Sequence, residues 1–422
     1  MQKKSVPTFP KRFLWGASTS SHQVEGHGHN QWTVWELENA KALATKAEYV
    51  LKDLENWDDI KTEAKNPANY VSGDTTDHYN RYEEDFQIIK QLNMNAYRFS
   101  IEWSRVEPEE GGWNAEAIEH YKKYTARLKA LGIEPIVTLF HFTLPVWFAA
   151  KGGFEKHSNI KYFTRYAEKI ISELGPHVRI IVTMNEPTVY ALESYHEHHW
   201  PPAYVHKKYK VWRVLNNLAR AHRQTAKLLH GMNRRYKVTI AHNSMYFYPG
   251  DNAWLSKASS HAMQYMQDDY FLKKVVKHCD LLGVNFYFSN RVYGYRVHSP
   301  NERVSDVGWD LSPLHIQYVL ERLYQKYKLP LIVTESGLAD SDDSSRRWFI
   351  TQQLVGMQKA LDEGVDIRGY LHWSLLDNFE WAYGKWPRYG LVRVDYATKK
   401  RTPQPSAIWF GKIIKIMRQE EK

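Results

Sequence analysis

Ile180-Ile-Val-Thr-Met-Asn-Glu-Pro187 is an apolar run that ends on an amide, a carboxylate and a proline. A second stretch, Leu331-Ile-Val-Thr-Glu-Ser-Gly337, has the same pattern and carries Glu335 near its end. Short, continuously apolar runs are typical of strands buried on both faces of a parallel sheet. The strands of a closed parallel barrel deliver their C-terminal residues to one face. The two stretches therefore predict a barrel in which Glu186 and Glu335 meet, as a two-carboxylate hydrolase requires.

Short apolar runs alternate with segments of helical periodicity along the rest of the chain. Eight runs have strand character: Phe13–Thr19, Ala96–Ile101, Glu134–Phe140, Ile180–Met184, Val238–Ala241, Leu281–Phe288, Leu331–Thr334 and Ile367–Trp373. Strict alternation favours a parallel sheet covered by helices, and eight units favour a closed (β/α)8, or TIM, barrel over an open sheet. No Gly-x-Gly-x-x-Gly follows the first run, which argues against dinucleotide binding. We therefore predict an α/β fold, with a single (β/α)8 barrel domain over residues 1–422.

Two local features complete the predicted architecture. Asn114 and Gly132 are placed to cap the two ends of one helix, because Asn satisfies free N–H groups and Gly tolerates the left-handed turn that ends a helix. The segment 30–69 is rich in Ala, Lys, Glu and Leu and has no strand pattern. It is predicted to form mixed-charge helix and loop laid over the barrel.

The composition is that of an ordinary globular protein with two unusual features. Aromatic residues make up 14% of the chain, including 16 Trp and 28 Tyr, and aromatic faces stack on sugar rings as well as filling cores. The net charge is +10, which raises the question of nucleic-acid binding. The densest basic runs, Lys207-Lys208 and Lys399-Lys400-Arg401, are short, so a solvated basic surface is favoured and no nucleic-acid partner is expected.

Cysteine usage and the N-terminus bear on the compartment. Cys279 is the single cysteine, so no intrachain disulfide can form, which fits a reducing compartment. Residues 1–10 are basic but lack the apolar segment of a signal peptide. No run of about 18 apolar residues is present, so no membrane association is predicted. The expected localisation is cytoplasmic.

Polar side chains recur where the predicted strands end. They are Gln23 after the first strand, Arg98 within the second, His141 after the third, Asn185 and Glu186 after the fourth, Asn285 and Tyr287 in the sixth, Glu335 after the seventh and Trp373 at the end of the eighth. Any one of them could be a satisfied structural group. A buried polar group costs a few kcal/mol unless it is paired. The presence of this many polar residues at strand ends therefore favours a single polar cleft.

Several motifs resemble those of family 1 glycoside hydrolases, the β-glucosidase and β-galactosidase family. The two glutamate motifs are Thr183-Met-Asn-Glu-Pro187 and Val333-Thr-Glu-Ser-Gly337; the others are Phe13-Leu-Trp-Gly-Ala-Ser-Thr-Ser-Ser-His-Gln-Val-Glu-Gly26, Tyr97-Arg-Phe-Ser-Ile-Glu-Trp-Ser-Arg105, Gly283-Val-Asn-Phe-Tyr287 and Trp373-Ser-Leu-Leu-Asp-Asn-Phe-Glu-Trp381. The match runs in order from about Phe13 to Tyr396 and is weakest over residues 30–69.

The resemblance implies a retaining mechanism, in which two carboxyl groups about 5–5.5 Å apart act as nucleophile and acid/base. Glu335 matches the nucleophile and would be ionised, with Arg98 and Tyr287 favouring the anion. Glu186 matches the acid/base and would begin protonated, because burial and the Glu335 charge raise its pKa. Asn185 matches the residue that binds the sugar 2-hydroxyl.

The resemblance also assigns the remaining sugar contacts. Gln23, His141 and Glu380 would bind the other hydroxyls, Trp373 would be the stacking platform, and Trp381 would donate its indole N–H. Asn285 would support the glutamates. No cofactor and no metal are implied. A carboxylate at Glu380 would repel a sugar 6-phosphate, so unphosphorylated sugars are expected.

Three departures from the family pattern stand out. Phe140-His141-Phe142 replaces the usual His-His-Trp, and Phe142 cannot offer an indole N–H. Ser336 replaces an Asn and is expected to point away from the cleft. The loop Tyr383–Tyr389 differs from the usual sequence of the family and is expected to reshape the entrance of the cleft.

The run His196-Glu-His-His199 looks like a metal site, but adjacent histidines rarely share one ion, so a loop contacting the leaving group is favoured.

The sequence thus predicts an exo-acting β-glycosidase, a β-glucosidase that also accepts β-galactosides, β-fucosides or short oligosaccharides. One alternative is a 6-phospho-β-glycosidase. Another is a catalytically inactive sugar-binding protein, which the presence of both glutamates disfavours. The sequence predicts no particular oligomeric state.

Overall fold

The computed structural model describes residues 8–299 and 303–419, and its central element is a closed barrel of parallel strands. The strands of the described residues are β1 (Leu14–Ser18), β2 (Ala96–Ser100), β3 (Glu134–Thr138), β4 (Ile180–Asn185), β5 (Lys237–Asn243), β6 (Tyr246–Pro249), β7 (Leu282–Asn285), β8 (Ser289–Tyr293), β9 (Arg296–Val297), β10 (Leu331–Ser336), β11 (Ile367–Trp373), β12 (Val392–Val394) and β13 (Arg401–Pro403). The barrel order is β1-β2-β3-β4-β5-β7-β10-β11, and β11 closes on β1. The predicted (β/α)8 barrel is confirmed.

Helices connect the barrel strands. They are α1 (Ser21–Val24), α2 (Gln31–Leu51), α3 (Trp57–Ala64), α4 (His78–Gln91), α5 (Trp103–Val106), α6 (Ala115–Ala130), α7 (Val146–Ala150), α8 (Ile160–Leu174), α9 (Pro187–Tyr195), α10 (Lys208–Met232), α11 (Trp254–Gln264), α12 (Tyr270–Val275), α13 (Ile316–Tyr327), α14 (Arg346–Asp362) and α15 (Pro405–Gln419). Asn114 caps α6 by accepting from the Ala117 N–H at 3.0 Å, and Gly132, with φ of 75°, follows its last turn, as predicted. No helix in the described part of the chain is both long and apolar enough to cross a membrane.

The barrel strands are apolar on both faces because both faces are buried. Ile180 and Val182 of β4 lie in a cluster formed by strand side chains inside the barrel, whereas Ile181 between them packs into the larger cluster that includes the helices. Alternate residues of a strand point to opposite faces, so one strand contributes to both cores. Each fully buried aliphatic side chain stabilises the fold by about 1.5–3 kcal/mol.

Gly337 lets the ends of β10 and β11 approach each other. A Cβ atom at this position would lie 1.8 Å from the carbonyl oxygen of Trp373. Any larger residue would push the end of β10, with Glu335, away from β11. The close approach of β10 and β11 therefore requires glycine at the end of the second glutamate motif.

The predicted strand Leu281–Phe288 was too long. β7 ends at Asn285, and β8 begins at Ser289 in a separate three-stranded sheet with β6 and β9. Phe286 is buried and Phe288 packs against Trp309 at 5.2 Å, so the apolar pattern continues although the chain has left the barrel wall. The segment 30–69 forms α2 and α3, which confirms the predicted helix and loop.

Candidate active site

Two buried glutamates lie at the C-terminal end of the barrel. Glu186 directly follows β4, where it precedes α9 with φ of 39° and ψ of 59°, and Pro187 opens the helix. This left-handed conformation is uncommon for a residue with a side chain and often marks a functional position. Glu335 is the penultimate residue of β10. Only 7% of Glu186 and 3% of Glu335 is exposed, so both carboxyls are removed from bulk water.

Glu335 is bound by a cation and a hydroxyl. Arg98 Nη1 donates to its Oε1 at 2.5 Å, and the Tyr287 hydroxyl donates to its Oε2 at 2.7 Å. Burial raises the pKa of Glu335 above its ordinary value, and the Arg98 charge and the Tyr287 hydrogen bond oppose that rise. Because both partners donate to the carboxylate, they stabilise its ionised form.

Glu186 has a different environment, in which the donors are neutral amides. Asn285 Nδ2 donates to Glu186 Oε1 at 2.8 Å, and Asn243 Nδ2 donates to the same oxygen at 3.2 Å. Burial, followed by the charge of Glu335, raises the pKa of Glu186 to about 8. These environments favour the protonated form at Glu186 and the ionised form at Glu335, which lies beside Arg98.

Asn185 links the two halves of the site. Its Oδ1 accepts from Arg98 Nη2 at 2.7 Å and from Asn285 Nδ2 at 3.1 Å, which fixes the orientation of the amide. Its Nδ2 must then donate, and it lies 3.2 Å from His141 Nε2. Nε2 of His141 is therefore the acceptor and Nδ1 carries the proton.

His141 is neutral and holds one unused donor. Burial, together with the Arg98 charge, lowers the pKa of His141 well below its ordinary value. The Nδ1 atom has no hydrogen-bond partner among the described residues. The imidazole ring lies nearly parallel to the Trp373 ring at 5.8 Å and to the Trp381 ring at 6.2 Å. An aromatic wall thus adjoins the carboxyl pair.

Gln23 and Glu380 form a polar group beside Trp381. Gln23 Nε2 donates to the Phe379 carbonyl at 2.8 Å and to Glu380 Oε2 at 3.2 Å. Asn378 Nδ2 also donates to Glu380 Oε2, at 2.9 Å. Burial raises the pKa of Glu380 to about 7, against the lowering effect of the Asn378 hydrogen bond.

Phe142 takes part in packing. It is buried and lies edge-on to Trp381 at 5.2 Å and tilted against Trp200 at 4.7 Å. Trp381 also contacts Trp200 at 5.6 Å and Trp32 of α2 at 4.8 Å. The family-atypical Phe142 thus belongs to an aromatic cluster that supports Trp381.

The structure brings the residues predicted from the sequence to one end of the barrel. They are Gln23, Arg98, His141, Asn185, Glu186, Asn285, Tyr287, Glu335, Trp373, Glu380 and Trp381, linked by the contacts above. Sequence reasoning missed Asn243 and Asn378. Asn243 ends β5, whose predicted boundary at Ala241 stopped two residues early. The strand-end rule that singled out Asn285 would otherwise have found it.

The histidine-rich segment 196–199 forms a loop after α9. His199 Nδ1 lies 2.8 Å from Glu193 Oε2, and His196 contacts the His206 ring at 5.1 Å. Within residues 8–299 and 303–419, no group of three or more His, Cys, Asp or Glu side chains is arranged to hold a metal ion.

A closed (β/α)8 barrel with two buried carboxyl groups at its C-terminal end, one bound by a cation and the other by neutral amides, defines a two-carboxylate glycoside hydrolase. The chain belongs to glycosyl hydrolase family 1, whose sequence model matches residues 5–281 and 273–419. Beta-glucosidase A of Thermotoga maritima is 30% identical, over 97% of this chain and 98% of its own. A 6-phospho-beta-galactosidase of Clostridium acetobutylicum is 28% identical, over 96% of each chain. The solved structure of a beta-glycosidase from Pyrococcus horikoshii is 35% identical with a TM-score of 0.85, covering 97% of this chain and 95% of its own.

The raised pKa of Glu186 predicts a pH-dependent effect on stability. Because the folded state holds this proton more tightly than the unfolded chain, folding becomes less favourable as the pH rises from the ordinary glutamate pKa of 4.5 to about 8. Glu186→Gln removes that penalty. We expect the variant to have a Tm several degrees above wild type at pH 9, with the difference vanishing near pH 4.5, in thermal unfolding followed by circular dichroism.

The matched control is Glu168→Gln, which removes the same charge from an exposed position on α8. It should leave the pH dependence of Tm unchanged. A Glu186→Gln variant no more stable than wild type at pH 9 would contradict the raised pKa.

Proposed function

We propose that the chain is a retaining exo-β-glycosidase that hydrolyses terminal nonreducing β-glucosides, with Glu335 as nucleophile and Glu186 as acid/base. The observation that carries this assignment is the difference between the two carboxyl environments. Arg98 and Tyr287 donate to Glu335, whereas the donors to Glu186 among the described residues are the amides of Asn285 and Asn243. Retaining hydrolysis needs this combination of one anion and one acid at the same pH.

In the first step, a Glu335 carboxylate oxygen attacks the anomeric carbon while Glu186 protonates the glycosidic oxygen. The bond to the leaving group breaks, the aglycone leaves with the proton, and an α-glycosyl ester of Glu335 forms. The negative charge of Glu335 disappears in the ester. The pKa of Glu186 then falls, because one of the two causes that raised it is gone.

In the second step, the Glu186 carboxylate takes a proton from water, and the water oxygen attacks the anomeric carbon. The ester bond breaks, Glu335 is released as the anion, and the sugar leaves with its original β configuration. One residue therefore serves as acid and then as base, because its neighbour changes charge between the steps.

Asn185 is proposed to bind the sugar 2-hydroxyl, a contact that strengthens as positive charge develops on the ring. Its amide is held by Arg98, Asn285 and His141 and does not need to reorganise during the reaction. Trp373 is proposed as the stacking platform. The other hydroxyls are assigned to Gln23, His141, Glu380 and Trp381. β-Glucosides, β-galactosides and short oligosaccharides are the proposed substrates.

A panel of nitrophenyl β-glycosides, assayed for kcat/KM, tests the substrate class. Proton NMR of a single reaction tests the stereochemistry. We expect turnover of the β-glucoside and the β-anomer of glucose as the first product. The α-anomer as first product, or no turnover of any β-glycoside, would overturn the proposal.

Glu380 should discriminate against 6-phosphorylated sugars. A like charge at about 6 Å costs about 2–3 kcal/mol at an effective dielectric of 20, or roughly 10²-fold in kcat/KM. Because Glu380 has a pKa raised to about 7, it ionises as the pH rises through neutrality, and the discrimination should grow between pH 6 and pH 8. The measurement is the ratio of kcat/KM on nitrophenyl β-glucoside to that on its 6-phosphate.

Glu380→Gln is the control for this ratio. The second ionisation of the phosphate, near pH 6, remains in the variant, so any difference between variant and wild type belongs to Glu380. A higher kcat/KM on the 6-phosphate in wild type would establish the phospho-glycosidase alternative.

A further inference from the structure

A π-helical turn connects α11 and α12 next to the site. It covers Tyr265–Asp269 and inserts its wider spacing into an otherwise α-helical run. Such turns are rare, are mostly single turns inside α-helices, and occur frequently at functional sites. In this chain the turn carries Gln267, whose Nε2 donates to Asn243 Oδ1 at 3.1 Å and to the Asn243 carbonyl at 2.9 Å.

The contact with Gln267 decides which end of the Asn243 amide faces Glu186. Because Asn243 Oδ1 accepts from Gln267, its Nδ2 is the end that lies 3.2 Å from Glu186 Oε1. A flipped amide would place two N–H donors, those of Gln267 and Asn243, against each other. It would also present an oxygen to the carboxylate. Gln267 therefore selects the orientation in which Asn243 donates to Glu186.

Asp268 anchors the π-helical turn to the end of β5. It is fully buried and accepts from His242 Nε2 at 3.1 Å and from Ser244 Oγ at 3.1 Å, on either side of Asn243. Arg322 of α13 pairs with the same carboxylate. Burial lowers the pKa of His242 to about 3, so its ring is neutral and donates through Nε2. Asp268 thus links the π-helical turn to both sequence neighbours of Asn243, the residue that Gln267 orients.

Asp269, the next residue, binds the π-helical turn to α13. The Tyr327 hydroxyl donates to its Oδ1 at 2.6 Å, and Lys326 pairs with its Oδ2. With both aspartates held, Gln267 between α11 and α12 has little freedom to move away from Asn243.

We propose that Gln267 is a positioning residue, which holds Asn243 so that its amide donates to Glu186 and stabilises the ionised form that acts as base in the second step. This inference rests on the proposed role of Glu186. A donated hydrogen bond favours the carboxylate over the acid. Without it, a larger fraction of Glu186 would be protonated at neutral pH, and the protonated carboxyl group cannot take a proton from water.

Within the part of the chain that the structure describes, the other charged or titratable groups that act on Glu186 are Glu335 of β10, Arg98 of β2 and Tyr287 after β7. None of them contacts Gln267. Replacing Gln267 therefore changes the hydrogen bonding of Glu186 without altering the charges around it.

The test is the pH profile of kcat/KM on phenyl β-glucoside, a substrate whose poor leaving group requires the protonated acid. The variants are Gln267→Met, Asn243→Ala and the double variant, each checked for folding by its Tm. We expect each single change to move the alkaline limb upward by about half to one pH unit, the equivalent of one net hydrogen bond. The double variant should shift no further than Asn243→Ala, because Gln267 acts through Asn243.

Gln224→Met, the same change at an exposed position on α10, is the control and should leave the limb in place. An unmoved or downward-shifted limb in Gln267→Met, or additive shifts in the double variant, would overturn the inference. Glu186→Ala separates this failure from failure of the proposed function. If Glu186→Ala loses the alkaline limb while Gln267→Met keeps it, only the inference fails; if Glu186→Ala keeps the limb and its activity, the function itself fails.

Discussion

Replacing Glu335 by glycine is expected to lower kcat/KM on aryl β-glucosides by roughly 10⁴- to 10⁶-fold, the range found when a nucleophile is removed. Without the carboxylate no glycosyl ester can form. The change also leaves the buried Arg98 without its 2.5 Å partner, so the folded variant should be less stable than wild type. Steady-state kinetics, together with a thermal unfolding curve, separate the loss of chemistry from the loss of folded protein.

The same variant offers a positive test of the role. Glycine leaves a space bordered by the guanidinium of Arg98 and the hydroxyl of Tyr287, which suits a small anion. Azide bound there would attack the anomeric carbon from the side of the missing carboxylate and displace the aglycone with inversion. We therefore expect azide to restore turnover and to yield the α-glycosyl azide, identified by NMR.

Glu335→Gln is the control, since its amide fills the space and should prevent the rescue. Turnover close to wild type in Glu335→Gly, or formation of the β-glycosyl azide, would show that Glu335 is not the nucleophile.

Replacing Glu186 by alanine is expected to lower kcat/KM by a factor that depends on the leaving group of the substrate. Phenyl or alkyl β-glucosides need a proton on the departing oxygen, so kcat/KM should fall by about 10²–10⁴-fold, the usual contribution of general acid catalysis. A dinitrophenyl glucoside leaves without protonation, so its kcat/KM should change little. Its kcat should still fall, because the second step has lost its base. The alkaline limb of the pH profile, set by a Glu186 pKa of about 8, should disappear.

Azide distinguishes this variant from the first one. With Glu335 still present, azide would attack the glycosyl ester in place of water, raise kcat on the dinitrophenyl substrate, and yield the β-glycosyl azide. A loss of equal size on every leaving group would contradict the acid/base role and would indicate a structural effect of the substitution.

The barrel could be predicted from the sequence because its strands are buried on both faces. Ile180–Val182 and Leu331–Val333 are apolar at every position for that reason, and no tertiary information is needed to recognise them. The same pattern misled the prediction after Asn285. Phe286 is buried outside the barrel wall as completely as a strand residue is within it, so hydrophobicity alone could not mark where β7 ends.

The partners of the glutamates could not be read from local patterns. Asn243 lay beyond the predicted end of its strand, and Gln267 stands in a helix whose π-helical turn has no recognised sequence signal. A helical glutamine is ordinarily a solvated residue. It contacts Asn243 only because the wider turn and the anchoring of Asp268 bring it to the end of β5.

By itself the sequence determined the closed barrel, the strand ends that meet in the cleft, and, by resemblance, the two glutamates that stand there. Only the tertiary structure decided how these two chemically identical side chains differ. Arg98 and Glu335 are 237 positions apart in the chain and 2.5 Å apart in the fold, whereas Glu186 meets two amides and the charge of its neighbour. The proton affinity of a carboxyl group depends on burial and on the distance to charges in space, and neither quantity is carried by its own stretch of sequence.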